Sequence, residues 1–188
     1  MMIKMIRFFD ISLSILAITI FIIPMAIIYT LIYLNGRHPL FFQTRLGLRK
    51  KPFQLIKFRS MHVGTDSLPT HEVDRNSITK LGSFIRKSKL DELPQLWNVL
   101  VGDMSFVGPR PCLPTQEKLI IHRDMLNIFE YKPGISGVAQ LNGIDMSNPE
   151  KLAKEDKKMM KNFSLRTYLT IIAYTAMGKG FGDRVGNS

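Results

Sequence analysis

The chain has 188 residues, enough for one domain with a substantial core and too few for two. Twenty-six basic residues against 15 acidic ones give a formal charge of +11, which implies an anionic partner: nucleic acid, anionic lipid or a phosphorylated substrate. Cys112 is the only cysteine, so an intramolecular disulfide is excluded, nothing points to an oxidising compartment, and the globular part is expected in the cytosol.

At the N-terminus, Lys4 and Arg7 among Ile, Met and Phe read as the basic start of an amphipathic helix that seeks the membrane interface. Ile11 to Leu34 then carries no charge. That stretch matches a bilayer core of about 30 Å and is too long for the apolar core of a signal peptide. Pro24, near its middle, removes a backbone donor and leaves the Ile20 carbonyl without its helical partner, so a bend is expected there. Basic residues flank both ends, Lys4 and Arg7 before it and Arg37, Arg45, Arg49, Lys50 and Lys51 after it. The positive-inside tendency keeps both flanks cytoplasmic and favours a re-entrant helix bending at Pro24; a Pro-kinked single pass is the alternative.

After the turn signal Asn35-Gly36, "PLFFQTRLGLRKKPFQLIKFRSM" reads as two short strands around a Gly-containing basic turn. Alternation in the second strand puts Phe53, Leu55, Lys57 and Arg59 on one face and Gln54, Ile56 and Phe58 on the other. Lys57 and Arg59 side by side repel unless an anion sits between them, which makes them a candidate phosphate clamp. A solvated edge strand protected by its cations is the alternative. His62 to Lys80 is a polar loop, in which His62, Asp66, His71 and Asp74 lack a spacing that would converge on a metal. Ile78, Leu81, Phe84 and Ile85 then recur at helical spacing and carry Arg86 and Lys87 towards the next segment.

That segment, "KLDELPQLWNVLVGDMSFVGPRP", is the densest in chemistry. Asp91 and Glu92 precede the helical pattern Leu93, Leu96, Trp97 and Leu100, with Pro94 in the first turn, where a missing N–H costs nothing. A helix start favours an ionised carboxylate and attracts a phosphate beside it. Capping is the competing reading, since Ser88 stands three residues before Asp91 and acids are ordinary in first turns. Pro109 and Pro111 fix the backbone around Arg110, and a fixed guanidinium suits bidentate phosphate recognition.

Asp103 follows Gly102 as a turn former before the short strand "MSFVG". Leu113 to Tyr131 reads as an amphipathic helix with His122, Arg123 and Glu130 facing solvent. "KPGISGVAQLNG" is a Gly-rich strand and turn, weak evidence for phosphate binding by itself. Ser147, Asn148 and Pro149 start a lysine-rich helix suited to an anionic membrane surface. Leu165 to Met177 is apolar but too short to span, so it packs on the core or lies in the interface; Gly178 ends it. In the tail, Lys179 and Arg184 could close over a nucleotide, with a disordered terminus as the alternative.

"SKLDELPQLWNVLVGDMSFVGPRP", with "KFRSM" upstream and "KPGISGVAQLNG" downstream, resembles the bacterial sugar transferase family of monotopic phosphoglycosyl transferases. The resemblance covers nearly the whole chain, with the motifs in the family's order and an apolar segment where the family has its membrane anchor. It implies that Asp91 attacks the β-phosphate of a UDP-sugar, that UMP leaves, and that polyprenol (undecaprenyl) phosphate then takes the sugar phosphate. Such an attack needs the phosphate charge neutralised, commonly by Mg²⁺ with arginine. Asp91 and Glu92 are the candidate catalytic and metal-holding residues, Glu92 either holding the metal or orienting the acceptor. Lys57, Arg59, Arg86 and Arg110 are the candidate phosphate ligands, Arg86 by its match to an arginine of the family motif. The chain departs from the family at Ile23, where a serine often precedes the proline, and at Lys132, Val138 and Ile144, usually Arg, Trp and Arg.

The expected architecture is α+β: a re-entrant membrane helix over residues 1–36, one compact catalytic domain over 37–178 holding a small β-hairpin and several amphipathic interfacial helices, and a flexible tail over 179–188. It places the protein at the bacterial inner membrane, with the catalytic domain at the cytoplasmic leaflet. UDP-sugar and polyprenol phosphate are the expected partners, and no nucleic-acid motif accompanies the basic residues. A non-enzymatic, basic membrane-surface adaptor is the alternative from another class; the sugar and the oligomeric state stay open.

Overall fold

A computed structural model describes residues 2–62, 64–65 and 75–179. The readings of Asp66, His71, Asp74 and Arg184 lie outside the described residues. Helix α1 (Met2–Leu34) is one helix that includes Pro24. Only Asp10, Ser14, Ile28 and Ile32 of it are buried, whereas Ile15, Leu16, Ile20, Ile22, Ile23 and Ile27 are exposed. A helix this long and apolar, presenting such a surface, associates the protein with a membrane.

Both ends of α1 are nevertheless fastened to the same globular body. Near the start, Arg7 donates through Nη1 to Val99 O and through Nη2 to Leu100 O, both at 2.6 Å. Asp10 Oδ1 accepts from Ser105 Oγ (2.9 Å), Phe106 N (3.1 Å) and Tyr168 Oη (2.8 Å). Burial and the adjacent Asp10 carboxylate push the Tyr168 hydroxyl far up, so it stays a donor. Near the end, Ile28 and Ile32 pack with Phe58 and Ile85.

Strands β1 (Leu40–Leu46) and β2 (Pro52–Phe58) form the expected antiparallel hairpin, in register from Leu40 opposite Phe58 to Leu46 opposite Pro52. Phe53 and Leu55 pack towards Val99 and Met104, on the face from which Lys57 also projects, as alternation requires. Helix α2 (Lys80–Lys87) begins at Thr79, whose hydroxyl accepts from Gly82 N. Helix α3 (Gln95–Val101) lies along β2, where Asn98 accepts from Ile56 N and donates to Gln54 O. One side chain thus satisfies two backbone groups of a strand edge.

A second sheet pairs β3 (Ser105–Val107) with β4 (Gly134–Ser136) in parallel. A Cβ on Gly134 would overlap the Gly108 nitrogen, and one on Gly108 would overlap the Lys132 carbonyl. Gly134, which opens "GISG", and Gly108, which precedes the Pro109–Pro111 segment, therefore serve strand packing. Helices α4 (Glu117–Met125), α5 (Val138–Leu141), α6 (Pro149–Lys161) and α7 (Leu165–Ala176) complete the body. Asn148 caps α6 by accepting from Lys151 N, with Pro149 in its first turn.

The helix expected over Leu113 to Tyr131 is shorter. Residues before Glu117 form a loop in which Gln116 Oε1 accepts from Leu113 N, and Asn127 at φ 53 stops α4 before a 3-10 turn, Ile128–Glu130. Arg123 is not solvent-facing: it is 2% exposed and bonded to Asp156.

Candidate active site

The two acids lie on a 3-10 turn, Leu90–Glu92, one turn ahead of α3 rather than in its first turn. Leu93 and Pro94 continue with helical backbone angles into Gln95. Ser88 takes no part in capping Asp91; its hydroxyl donates to the Phe84 and Ile85 carbonyls and closes α2. Lys89, at φ 58, reverses the chain between α2 and the acids. Leu90 and Leu93 pack beneath the end of α1, which turns Asp91 and Glu92 to the opposite side.

Asp91 is 3% exposed. Glu92 Oε1 accepts from Arg110 Nη2 at 3.0 Å and lies 3.4 Å from Lys57 Nζ. All three side chains are largely shielded from water, so the attraction is much stronger than that of a surface pair. Arg86 Nη1 reaches Ser60 Oγ at 3.3 Å, at the end of β2. Two cations, Lys57 and Arg110, therefore converge on Glu92, next in sequence to the buried Asp91. Arg59 is placed differently, donating to the carbonyls of His38 (2.9 Å) and Leu40 (3.4 Å) with its guanidinium over the Phe41 ring. The geometry thus brings Lys57 and Arg110 onto Glu92, sets Arg86 nearby, and sends Arg59 back along β1.

The Pro109–Pro111 loop is held at four successive carbonyls. Pro109 O accepts from Gly134 N (2.9 Å), Arg110 O from Arg123 Nη1 (2.8 Å), Pro111 O from Arg45 Nη1 (3.0 Å) and Cys112 O from Leu46 N (2.9 Å). The prolines fix φ, and these bonds fix where the rigid segment points. Each buried arginine has its own acceptor: Gln43 Oε1 takes Nε and Nη2 of Arg45, and Asp156 Oδ2 takes Nε and Nη2 of Arg123. Burial pushes the Asp156 carboxyl upward against the pull of Arg123. It pushes the Cys112 thiol upward too, so that thiol is a packing group and not a nucleophile.

Asp10, Arg45, Asn98, Arg123 and Asp156 were missed by sequence reasoning. Asp10 had a signal, as the only acid in the first 65 residues. Arg123 and Asp156 are 33 residues apart and look like ordinary surface charges until the fold joins them. At the positions of departure, Ile144 packs against the cluster of Cys112, Leu119 and Ala139. Val138 N donates to Met159 Sδ at 3.3 Å. Lys132 lies close to Arg7; its partial burial, then that charge, depress its pKa.

Among the described residues no group of three or more His, Cys, Asp or Glu side chains could form a dedicated metal cage. An adjacent carboxylate pair is suited instead to Mg²⁺, which is bound through one or two carboxylates together with substrate phosphate oxygens.

The family model described as "Bacterial sugar transferase" matches residues 2–180. The chain is 39% identical over 170 residues to the "uncharacterized sugar transferase EpsL" of Bacillus subtilis (strain 168), covering 90% of this chain and 84% of that protein. It is 43% identical over 152 residues to the UDP-glucose:undecaprenyl-phosphate glucose-1-phosphate transferase of Xanthomonas campestris pv. campestris, covering 74% of this chain and 31% of that protein. With the UDP-galactose-lipid carrier transferase of Erwinia amylovora it shares 33% identity over 186 residues, covering 90% and 39% respectively. The chain thus spans most of the first relative and well under half of the other two.

Proposed function

Because the chain belongs to the bacterial sugar transferase family, we propose that it moves a sugar 1-phosphate from a UDP-sugar to undecaprenyl phosphate with release of UMP. The observation that carries this is the buried Asp91 beside a carboxylate, Glu92, that is already bonded to Arg110 and Lys57. That arrangement holds an anionic oxygen next to cations able to hold a diphosphate. In the first step an Asp91 carboxylate oxygen forms a bond to the β-phosphorus, the bond from that phosphorus to the bridging oxygen breaks, and its electron pair leaves on UMP. In the second, a phosphate oxygen of the lipid attacks the same phosphorus and the Asp91 carboxylate is released. Both steps balance without a further reactant.

Arg110 presents a guanidinium whose backbone cannot swing, Lys57 and Arg86 add charge without such rigidity, and Arg59 stands at the edge of the group. Asp91 and Glu92 would hold Mg²⁺, which when bound neutralises phosphate charge that would otherwise repel the attacking carboxylate. Glu92 also keeps Arg110 and Lys57 from repelling each other before substrate arrives.

The same reading puts both flanks of α1 on the cytoplasmic side, with the catalytic domain at the inner leaflet of the bacterial inner membrane. Supporting it, Arg7 and Asp10 at one end and Ile28 and Ile32 at the other are held by a single body. A helix crossing a core of about 30 Å would carry one end away from a domain on a single side. Cysteines placed singly near residues 3 and 37 in a Cys112→Ser background should therefore label from the same side; opposite sidedness would exclude the re-entrant arrangement.

The chemistry is tested with enzyme, Mg²⁺ and a panel of UDP-sugars that includes UDP-glucose and UDP-galactose, without acceptor. UMP should appear up to one equivalent per active site, and undecaprenyl phosphate should be needed only for further turnover. Asp91→Asn keeps the side-chain size, and full activity in that variant would remove Asp91 from the mechanism.

A further inference from the structure

The acid-bearing turn runs directly into α3, and the face it shares with that helix carries one polar group that nothing so far explains. Gln95 is 3% exposed, and its Nε2 is buried with no hydrogen-bond partner. A buried amide without a partner is destabilising, and such groups are rare in folded proteins. The backbone bonds across this segment run between residues three apart, such as Leu93 N to Leu90 O and Leu96 N to Leu93 O, so Gln95 sits one turn beyond Glu92. Its other neighbour on that face, Asn98, is bonded to Gln54 O and Ile56 N of β2. Gln95 is therefore bracketed by Glu92, which holds Arg110 and Lys57, and by a residue fixed to the strand that delivers Lys57. Leu90 and Leu93, by contrast, point under α1. Apolar residues would fill such a buried position without penalty, yet the chain keeps an amide with two N–H groups there.

We propose that Gln95 Nε2 is a substrate contact, donating a hydrogen bond to a phosphoryl oxygen of the diphosphate held between Asp91, Lys57 and Arg110. The inference rests on the phosphoryl-transfer reading above and adds a donor to it. A neutral amide suits this place because it can approach Asp91 without pairing with it as a cation would. Bound substrate then supplies the acceptor that the free protein lacks.

The test separates this role from packing, because the two predict opposite relations between stability and rate. Gln95→Met keeps the length and removes the amide. In the full-length protein in nanodiscs its melting temperature should equal or exceed that of the wild type, since an unpartnered buried donor has been removed. The rate constant of the acceptor-independent UMP burst, at limiting UDP-sugar, should fall about ten- to a hundredfold, the range for a hydrogen bond to a charged group. Gln95→Glu, which sets a like charge beside the phosphate, should fall at least as far. Burst amplitude counts folded sites, so a variant that folds poorly loses amplitude and keeps its rate constant; that outcome would make Gln95 a packing residue and overturn the proposal. A Gln95→Met rate constant within about twofold of wild type overturns it as well. If the wild type itself shows no burst with any UDP-sugar, the phosphoryl-transfer reading fails and this contact fails with it.

Discussion

Replacing Arg123 by Met keeps the aliphatic stem and removes the guanidinium that joins Asp156 to the Arg110 carbonyl. Both partners of the pair are 2% exposed, so the variant leaves a carboxylate buried without its cation, at a cost of about 3–5 kcal/mol. Loss of the Arg123 bond to the Arg110 carbonyl adds about 1 kcal/mol. Against a total stability of about 5–15 kcal/mol this is a large loss, and melting should fall by on the order of 10 °C or more. The loss should be pH-dependent. Burial already raises the Asp156 carboxyl above 3.8, and without Arg123 nothing opposes that rise. A folded-state pKa above the unfolded one adds stability at low pH that is lost as pH rises through the folded value, so the variant's deficit should shrink as pH falls through that value. Arg123→Met/Asp156→Leu replaces the ion pair by an apolar pair and should recover more than half of the melting temperature. It should not recover the UMP burst fully, because the Arg123 donor to the Arg110 carbonyl is still missing and the loop that aims Arg110 is held at one point fewer. Thermal unfolding followed by circular dichroism, together with the burst assay, reads both. A single variant that melts within about 3 °C of wild type would refute the energetic argument. Full burst activity in the double variant would refute the tether.

Asp10→Leu should destabilise the protein by at least about 2 kcal/mol, since Ser105 Oγ, Phe106 N and Tyr168 Oη lose their common acceptor, and Asp10→Asn should lose less; chemical denaturation of the two distinguishes them. Gly134→Ala should largely prevent folding, because its Cβ would overlap the Gly108 nitrogen across the β3–β4 pair; unchanged expression and melting would show that this sheet can open. Lys132→Met should raise the melting temperature at neutral pH. Burial depresses the folded-state pKa of Lys132, so charging it opposes folding, and the variant's advantage should shrink as pH rises towards the ordinary lysine value of 10.5.

Local chemistry made much of this protein legible. The charge-free run after Ile11, the strand alternation through Lys57, the Asn148-Pro149 helix start and the Asp91-Glu92 pair each depend on residues within a few positions of one another, where backbone sterics and side-chain period act directly. The same local rules misjudged Arg123, because a charged residue on a helix defaults to solvent unless a partner distant in sequence is known. They left Ser88 open, since its hydroxyl could close the helix before it or cap the turn after it; in the fold it closes α2, and Lys89 at positive φ then reverses the chain.

By itself, then, the sequence determined the membrane-seeking helix, the hairpin, the acid pair and the proline-held arginine, because each is written in short-range pattern. Only the tertiary structure decided that Glu92 meets Arg110 and Lys57, that Arg45 and Arg123 hold the loop carbonyls, and that both ends of α1 dock on one body. Those contacts join residues 13 to 158 positions apart, and a charge or an amide carries no local mark of which distant group will satisfy it once water is excluded.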